Sequence, residues 1–136
     1  MAADTRATTY QGVPVTCEKL FRKKIGKGRK ARTVIIGVAG ESSASLVFLD
    51  WYGTGTARPD MLKDADFLAL VLEKDGLYEY DSLCRGEKVL DPCYAIGSGQ
   101  VAAMAAMFCG KTARQAVEVA ARLDPYTGGR IVSYRL

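Results

Sequence analysis

Two helical patterns stand back to back near the carboxyl end of the chain, and most of their apolar positions are filled by alanine. In the first, Val101, Met104, Ala105 and Phe108 recur with the spacing of one helical face, and Gly110 can supply the left-handed residue that ends it. In the second, Thr112 with Gln115 three residues on fits a capping box, and Ala113, Ala116, Val117, Ala120 and Leu123 form the apolar stripe. Runs such as Ala102, Ala103, Ala105, Ala106, Ala116, Ala120 and Ala121 permit close backbone approach. These helices therefore pack tightly on each other or on a neighbouring subunit.

The remainder of the chain reads mostly as strands. Val13–Leu20 is one, and Thr33–Val38 is a buried one that ends at Ala39-Gly40. From Glu41 to Tyr52 the positions Ala44, Val47, Phe48, Trp51 and Tyr52 follow a helical period, which places a helix on a sheet. Thr54–Asp64 is loop. Phe67–Leu72 and Leu77–Tyr80 flank Lys74-Asp75-Gly76, a hairpin signal because Asp and Gly tolerate the positive φ of a tight turn. A short strand ends at Tyr94-Ala95-Ile96, and Gly128-Gly129 turns the chain into a last strand, Ile131–Tyr134. With 136 residues, 49% of them apolar, and no repeat or dividing linker, one domain over 1–136 is expected. The pattern alone gives an α+β fold or a layered α/β sandwich and names no function.

Several chemistries are excluded at this level. There is no histidine, so neither a Ser-His-Asp or Cys-His pair nor a His-based metal site can be built within the chain. Any hydrolytic base must be lysine, a carboxylate or an amine. Cys17, Cys84, Cys93 and Cys109 form no Cys-x-x-Cys pair, which leaves a zinc site or dithiol motif without support, and no cofactor is called for. No apolar run nears the roughly 20 residues that cross a bilayer, and Met1-Ala2-Ala3-Asp4 does not read as a signal peptide, so cytoplasmic residence without membrane contact is expected. Net charge is +4, with Lys19, Arg22, Lys23, Lys24, Lys27, Arg29, Lys30 and Arg32 crowded together. Such a run can bind phosphates, but Gly26 and Gly28 interrupt it and no aromatic follows Phe21 within it. A solvated hairpin is the preferred reading.

Local motifs carry the reading further. Ala95-Ile96-Gly97-Ser98-Gly99 leads into the small-residue helix, and Asp124-Pro125-Tyr126-Thr127-Gly128-Gly129 follows the second one. At the front stands Met1-Ala2-Ala3-Asp4-Thr5-Arg6-Ala7-Thr8, then Glu18-Lys19-Leu20, then Ile36-Gly37-Val38-Ala39-Gly40. In order and spacing these elements resemble the proteasome-type N-terminal nucleophile (Ntn) hydrolase family, both the proteasome β-subunit and the peptidase subunit of the bacterial ATP-dependent two-component protease. The Gly-Ser-Gly element is similar to the family's, and the aspartate loop is similar to its Asp-x-x-Ser-Gly-Gly element with threonine in place of serine.

That resemblance implies an α+β fold, the αββα layered sandwich of Ntn hydrolases, and a threonine-type peptidase subunit. It implies that Asp4 is the catalytic aspartate, Lys19 the catalytic lysine, and the Gly40 amide an oxyanion donor, with Ser98, Asp124 and Thr127 supporting the nucleophile's amino group. In this family a chain-starting threonine uses its own α-amine as base, an arrangement that needs no histidine. The lysine lowers the pKa of that amine and steadies the alkoxide, and an oxyanion donor can be worth about 3 kcal/mol of barrier. The family's nucleophile begins a strand ahead of the catalytic aspartate, and here only Met1, Ala2 and Ala3 precede Asp4. The first strand and its threonine are therefore missing from these residues. Thr5, Thr8 and Thr9 come after that aspartate and do not fit the role.

The readings that follow are a peptidase subunit inactive in this form, in a closed homo-oligomer or ring acting on peptide or unfolded protein, with an ATP-dependent unfoldase as a further partner. The alternatives are a catalytically inactive assembly or interaction protein on the same scaffold, and a nucleic-acid-binding module using residues 19–32.

Overall fold

A computed structural model describes all residues, Met1–Leu136. In chain order the strands are β1 (Ala2–Ala3), β2 (Arg6–Thr8), β3 (Pro14–Thr16), β4 (Leu20–Ile25) and β5 (Arg32–Gly40), followed by helix α1 (Ser42–Trp51). Then come β6 (Phe67–Glu73), β7 (Gly76–Tyr80), β8 (Glu87–Lys88), helices α2 (Gln100–Phe108) and α3 (Ala113–Leu123), and β9 (Val132–Ser133). Single 3-10 turns lie at Gly28–Lys30 and Asp60–Leu62. Two compact units result, one made of Met1–Leu20 with Asp91–Arg135, the other of Phe21–Leu90 with the terminal Leu136.

The second unit is built on a five-stranded sheet in the order β4-β5-β6-β7-β8. Strands β5 and β6 run antiparallel with Ile36 opposite Val71 and Gly40 opposite Phe67, and β6 and β7 pair from Ala69–Tyr80 to Glu73–Gly76. The tight turn at Lys74-Asp75 is the one the sequence signals. Helix α1 lays Ala44 and Phe48 against Val34, Ile36, Ala69 and Val71. Phe48 is fully buried and stacks at 5.3–5.7 Å on Trp51, Tyr52, Phe67 and Tyr80. The loop before β6 adds Leu62, also fully buried, although sequence patterning reads 54–64 as plain loop.

In the first unit two antiparallel pairs, β1 with β9 and β2 with β3, accompany the helical hairpin. The expected caps form. Gly110 N donates to Met107 O and Lys111 N to Ala106 O, the double bond of a Schellman ending. The Thr112–Gln115 capping box closes in both directions. Ala103 and Ala106 of α2 meet Ala116 and Ala120 of α3, so the alanines do set the contact between the helices.

Several expectations are corrected. The face of α2 traced by Val101, Met104, Ala105 and Phe108 is not the buried one: Val101 is 76% and Phe108 62% exposed, because the contact with α3 selects the alanine face instead. Leu123 is likewise exposed. The strand ending at Tyr94–Ile96 does not form; the sheet edge beside β7 is taken by Glu87–Lys88, which leaves 94–96 without a ladder partner. Val13–Leu20 splits: β3 pairs with β2 over Pro14–Thr16, Cys17 N adds a last bond to Thr5 O, and β4 begins only at Leu20 in a different sheet. The basic run forms β4, a 3-10 turn and the start of β5, the hairpin that was preferred.

Removing the ring at the centre of the second unit tests this core. Phe48→Ala is expected to cost about 3–5 kcal/mol in chemical-denaturant unfolding, the range for a buried aromatic truncated in a close-packed core.

Candidate active site

The polar centre of the first unit is built around two carboxylates. Asp4 follows the short strand β1 and is buried to 9% exposure. Its Oδ1 accepts from Lys19 Nζ at 2.9 Å, while its Oδ2 accepts from the Arg6 amide at 3.1 Å and the Gly128 amide at 2.8 Å. Charge-assisted bonds of this length are about twice as strong as neutral ones. They tie the amino-terminal segment to a loop more than a hundred residues away in sequence and hold the half-buried lysine in one place.

The second carboxylate, Asp124, directly follows α3. Ser98 Oγ and Thr127 Oγ1 both donate to its Oδ2 at 2.5 Å, and the Tyr126 amide donates to Oδ1 at 3.2 Å. Partial desolvation pushes the pKa of this carboxyl up, but the Ser98, Thr127 and Tyr126 bonds, together with the Lys19 charge, outweigh it and hold the group below its ordinary range. Thr127 donates to Asp124 while the amide of the next residue, Gly128, donates to Asp4, which places the two carboxylate systems in one neighbourhood. A Cβ at Gly99 would lie 2.6 Å from Thr127 Oγ1 and 3.0 Å from Ala120 Cβ, so only glycine lets the Ser98 turn come this close to the Asp124 loop.

Asp4, Lys19, Ser98, Asp124 and Thr127 thus stand together in one unit. Gly40 lies in the other unit, at the end of β5, with φ +92° and Asp66 O only 2.4 Å from where a Cβ would be. That position admits glycine alone. Of the threonines after Asp4, Thr5 is buried and its Oγ1 accepts from the Arg130 amide at 2.9 Å, and Thr9 Oγ1 accepts from the Val13 amide. The chain's α-amino group donates to Tyr134 O, and burial, then the nearby Arg135, lower its pKa.

Sequence reasoning missed Arg6 and the Gly128 amide. Arg6 Nη1 donates to Pro125 O at 2.9 Å, and its guanidinium covers Gly128 so closely that a Cβ there would lie 2.7 Å from Cζ. The available signal was the pairing of an Asp-x-Arg segment with a glycine-bearing acidic loop, which becomes informative only once the two meet.

A helical hairpin on short antiparallel strands, joined to a five-stranded sheet with one helix, and a Lys–Asp pair beside a Ser/Thr–Asp cluster describe the proteasome-type Ntn hydrolase fold. HslV from Trypanosoma brucei shares it at a TM-score of 0.71, with 19% sequence identity over 96% of this chain and 88% of that one. The BPH protein of Thiobacillus denitrificans matches at a TM-score of 0.70 and 18% identity over 98% and 89% of the two chains, and it is also known in complex with epoxomicin. A Gly-1 mutant of Anbu from Hyphomicrobium sp. strain MC1 matches at 0.66 and 15% identity, over 96% of this chain and 73% of that one. No protein-family model matches the sequence, and no curated protein does.

The lowered pKa of Asp124 sets the direction of its pH dependence. Its contribution to stability is complete above the ordinary carboxylate value of about 3.9 and is lost as pH falls through the lower folded value. Asp124→Asn is therefore expected to flatten the rise of unfolding free energy with pH in the acid limb, below the ordinary carboxylate value of about 3.9, as read by denaturant midpoints across pH.

Proposed function

We propose that this chain is a proteasome-like threonine-type peptidase scaffold, acting on peptide or unfolded protein within a self-assembling oligomer in the cytoplasm. The observation that carries the reading is the convergence of Lys19, held at 2.9 Å by Asp4, with Asp124 and its two hydroxyl donors Ser98 and Thr127. An ammonium beside a chain-starting threonine lowers the pKa of that threonine's α-amine, so the amine can take the hydroxyl proton as the oxygen attacks a peptide carbonyl. In this reading Ser98 and Thr127 orient the amine through the Asp124 carboxylate, and the resemblance assigns the Gly40 amide to the oxyanion. No histidine is required, in keeping with the composition.

The nucleophile is the element these residues do not provide. Thr5 and Thr9 are already engaged as acceptors of backbone N–H groups, so neither hydroxyl is placed as the nucleophile in this reading. Under this proposal the 136 residues by themselves are expected not to turn over peptides, and a threonine-initiated strand is expected to complete the Lys19–Asp4 centre.

A second reading, an assembly protein without catalysis, draws on the uncharged helix α2, where Val101 and Phe108 are exposed on one side. A contiguous apolar face of that kind suits contact with another subunit or with an unfoldase.

One experiment separates the readings. The 136-residue chain and a form extended upstream by a threonine-initiated strand of alternating apolar residues are assayed on a fluorogenic peptide and by intact mass after epoxomicin treatment. Turnover and a mass adduct are expected in the extended form only, and Lys19→Ala in that form is expected to lower turnover by about 10²-fold or more. Turnover by the 136-residue chain, or an extended form that oligomerises but neither turns over nor takes the adduct, overturns the peptidase proposal.

A further inference from the structure

The hairpin between β4 and β5 carries cations of two kinds. Lys23 bonds the carbonyls of Leu49 and Asp50 at the end of α1, and Arg32 pairs with Glu73 at 3.2 Å, so both are engaged within the second unit itself. Lys24, Lys27, Arg29 and Lys30 are exposed and bond nothing in the chain. No acidic residue occurs from Leu20 to Gly40 to offset them. With 19 Lys and Arg against 15 Asp and Glu, these four equal the whole positive excess of the chain, +4.

The tip that bears them is folded tightly. Ala31 N donates to Gly28 O at 3.1 Å, and a Cβ at Gly26 would lie 3.2 Å from Lys30 O. Lys24 to Lys30 therefore occupy roughly the last 10 Å of the hairpin, at about 3.3 Å per residue on either side of the turn. That is about one Debye length at 0.1 M salt, so the four fields add instead of being screened from one another. A lone carboxylate or small anion meets one or two of these cations, whereas a polyanion of closely spaced charges meets all four. Double-stranded nucleic acid carries one charge per about 1.7 Å of its axis, while an extended acidic polypeptide spaces its side chains about 3.3 Å apart on alternating faces. No aromatic is offered for stacking on an unpaired base, since Phe21 is the one aromatic between Leu20 and Gly40 and is half-buried.

We propose that the tip of the β4–β5 hairpin binds the phosphate backbone of double-stranded nucleic acid through Lys24, Lys27, Arg29 and Lys30. Contact with the backbone alone carries no sequence information and is driven by the counterions released as each phosphate is neutralised. Four phosphates give a slope of log affinity against log salt of about −3.6, a loss on the order of 10²-fold between about 50 and 200 mM. The surface does not rest on the peptidase reading, because Lys19, tied to Asp4, is not one of the four.

Fluorescence anisotropy of a labelled DNA duplex, titrated with the full chain at several salt concentrations between about 50 and 200 mM, tests this. The wild type is expected to bind with a slope of about −3.6, and duplexes of two unrelated sequences are expected to bind alike. Lys24→Gln, Lys27→Gln, Arg29→Gln and Lys30→Gln together are expected to weaken binding on the order of 10²-fold at low salt and to bring the slope near zero. Lys27→Gln with Arg29→Gln alone is expected to halve the slope to about −1.8, a graded change that misfolding would not produce. A control set of the same net charge, Lys63→Gln, Lys74→Gln, Lys111→Gln and Arg122→Gln, alters exposed cations elsewhere and is expected to keep the wild-type slope. Circular dichroism checks the fold of each variant. No binding at about 50 mM salt, or an equal loss in the hairpin and control sets, overturns the proposal. So does polyglutamate that competes as well as unlabelled duplex at equal total charge, which would assign the surface to an acidic polypeptide.

Discussion

The first unit depends on one buried carboxylate. Asp4 accepts from Lys19 Nζ, the Arg6 amide and the Gly128 amide, and those three donors belong to three separate stretches of chain. Leaving any of them without the acceptor would strand a donor at a partly desolvated site, a cost of about 1–3 kcal/mol each. The carboxylate therefore fixes the lysine, the start of β2 and the loop after α3 in a single geometry. Arg6 strengthens the same tie from the side by covering Gly128 and bonding Pro125 O.

The second carboxylate works on a different principle. Asp124 sits at the end of α3 and gathers hydroxyls and an amide rather than a formal charge, so its position is set by the helix pair behind it. Ala103, Ala106, Ala116 and Ala120 bring α2 and α3 together, and Gly99 lets the Ser98 turn reach the loop. Small side chains in one place and a glycine in another thus serve the same end, a short oxygen-to-oxygen distance that larger residues would open. In the second unit the logic is apolar, with Phe48 and its aromatic neighbours covering the sheet.

Much of this was legible from residue order. The helix over 42–51, the hairpin at Lys74-Asp75, the capping box at Thr112 and the ending at Gly110 each rest on bonds within a few residues, and each forms. Asp4, Lys19, Ser98, Asp124 and Thr127 could be named because they sit in short motifs of fixed spacing. What failed were statements about long-range pairing. The strand at 94–96 lacks a partner, Val13–Leu20 divides between two sheets, and the apolar face chosen for α2 points to solvent. Valine and phenylalanine look like core to any periodicity rule, yet a helix whose neighbour offers alanines buries its own alanines there.

The sequence by itself determined the caps, turns and helices, the exclusion of histidine chemistry, and which polar residues were candidates, since these follow from local backbone energetics and residue chemistry. Only the tertiary structure decided that Asp4 and Asp124 are bonded by adjacent residues of one loop, that Arg6 belongs with them, and which side of α2 is covered. The first two rest on contacts between residues more than a hundred positions apart and the third on packing between two helices, and no local preference encodes the meeting of separate segments until both have folded against each other.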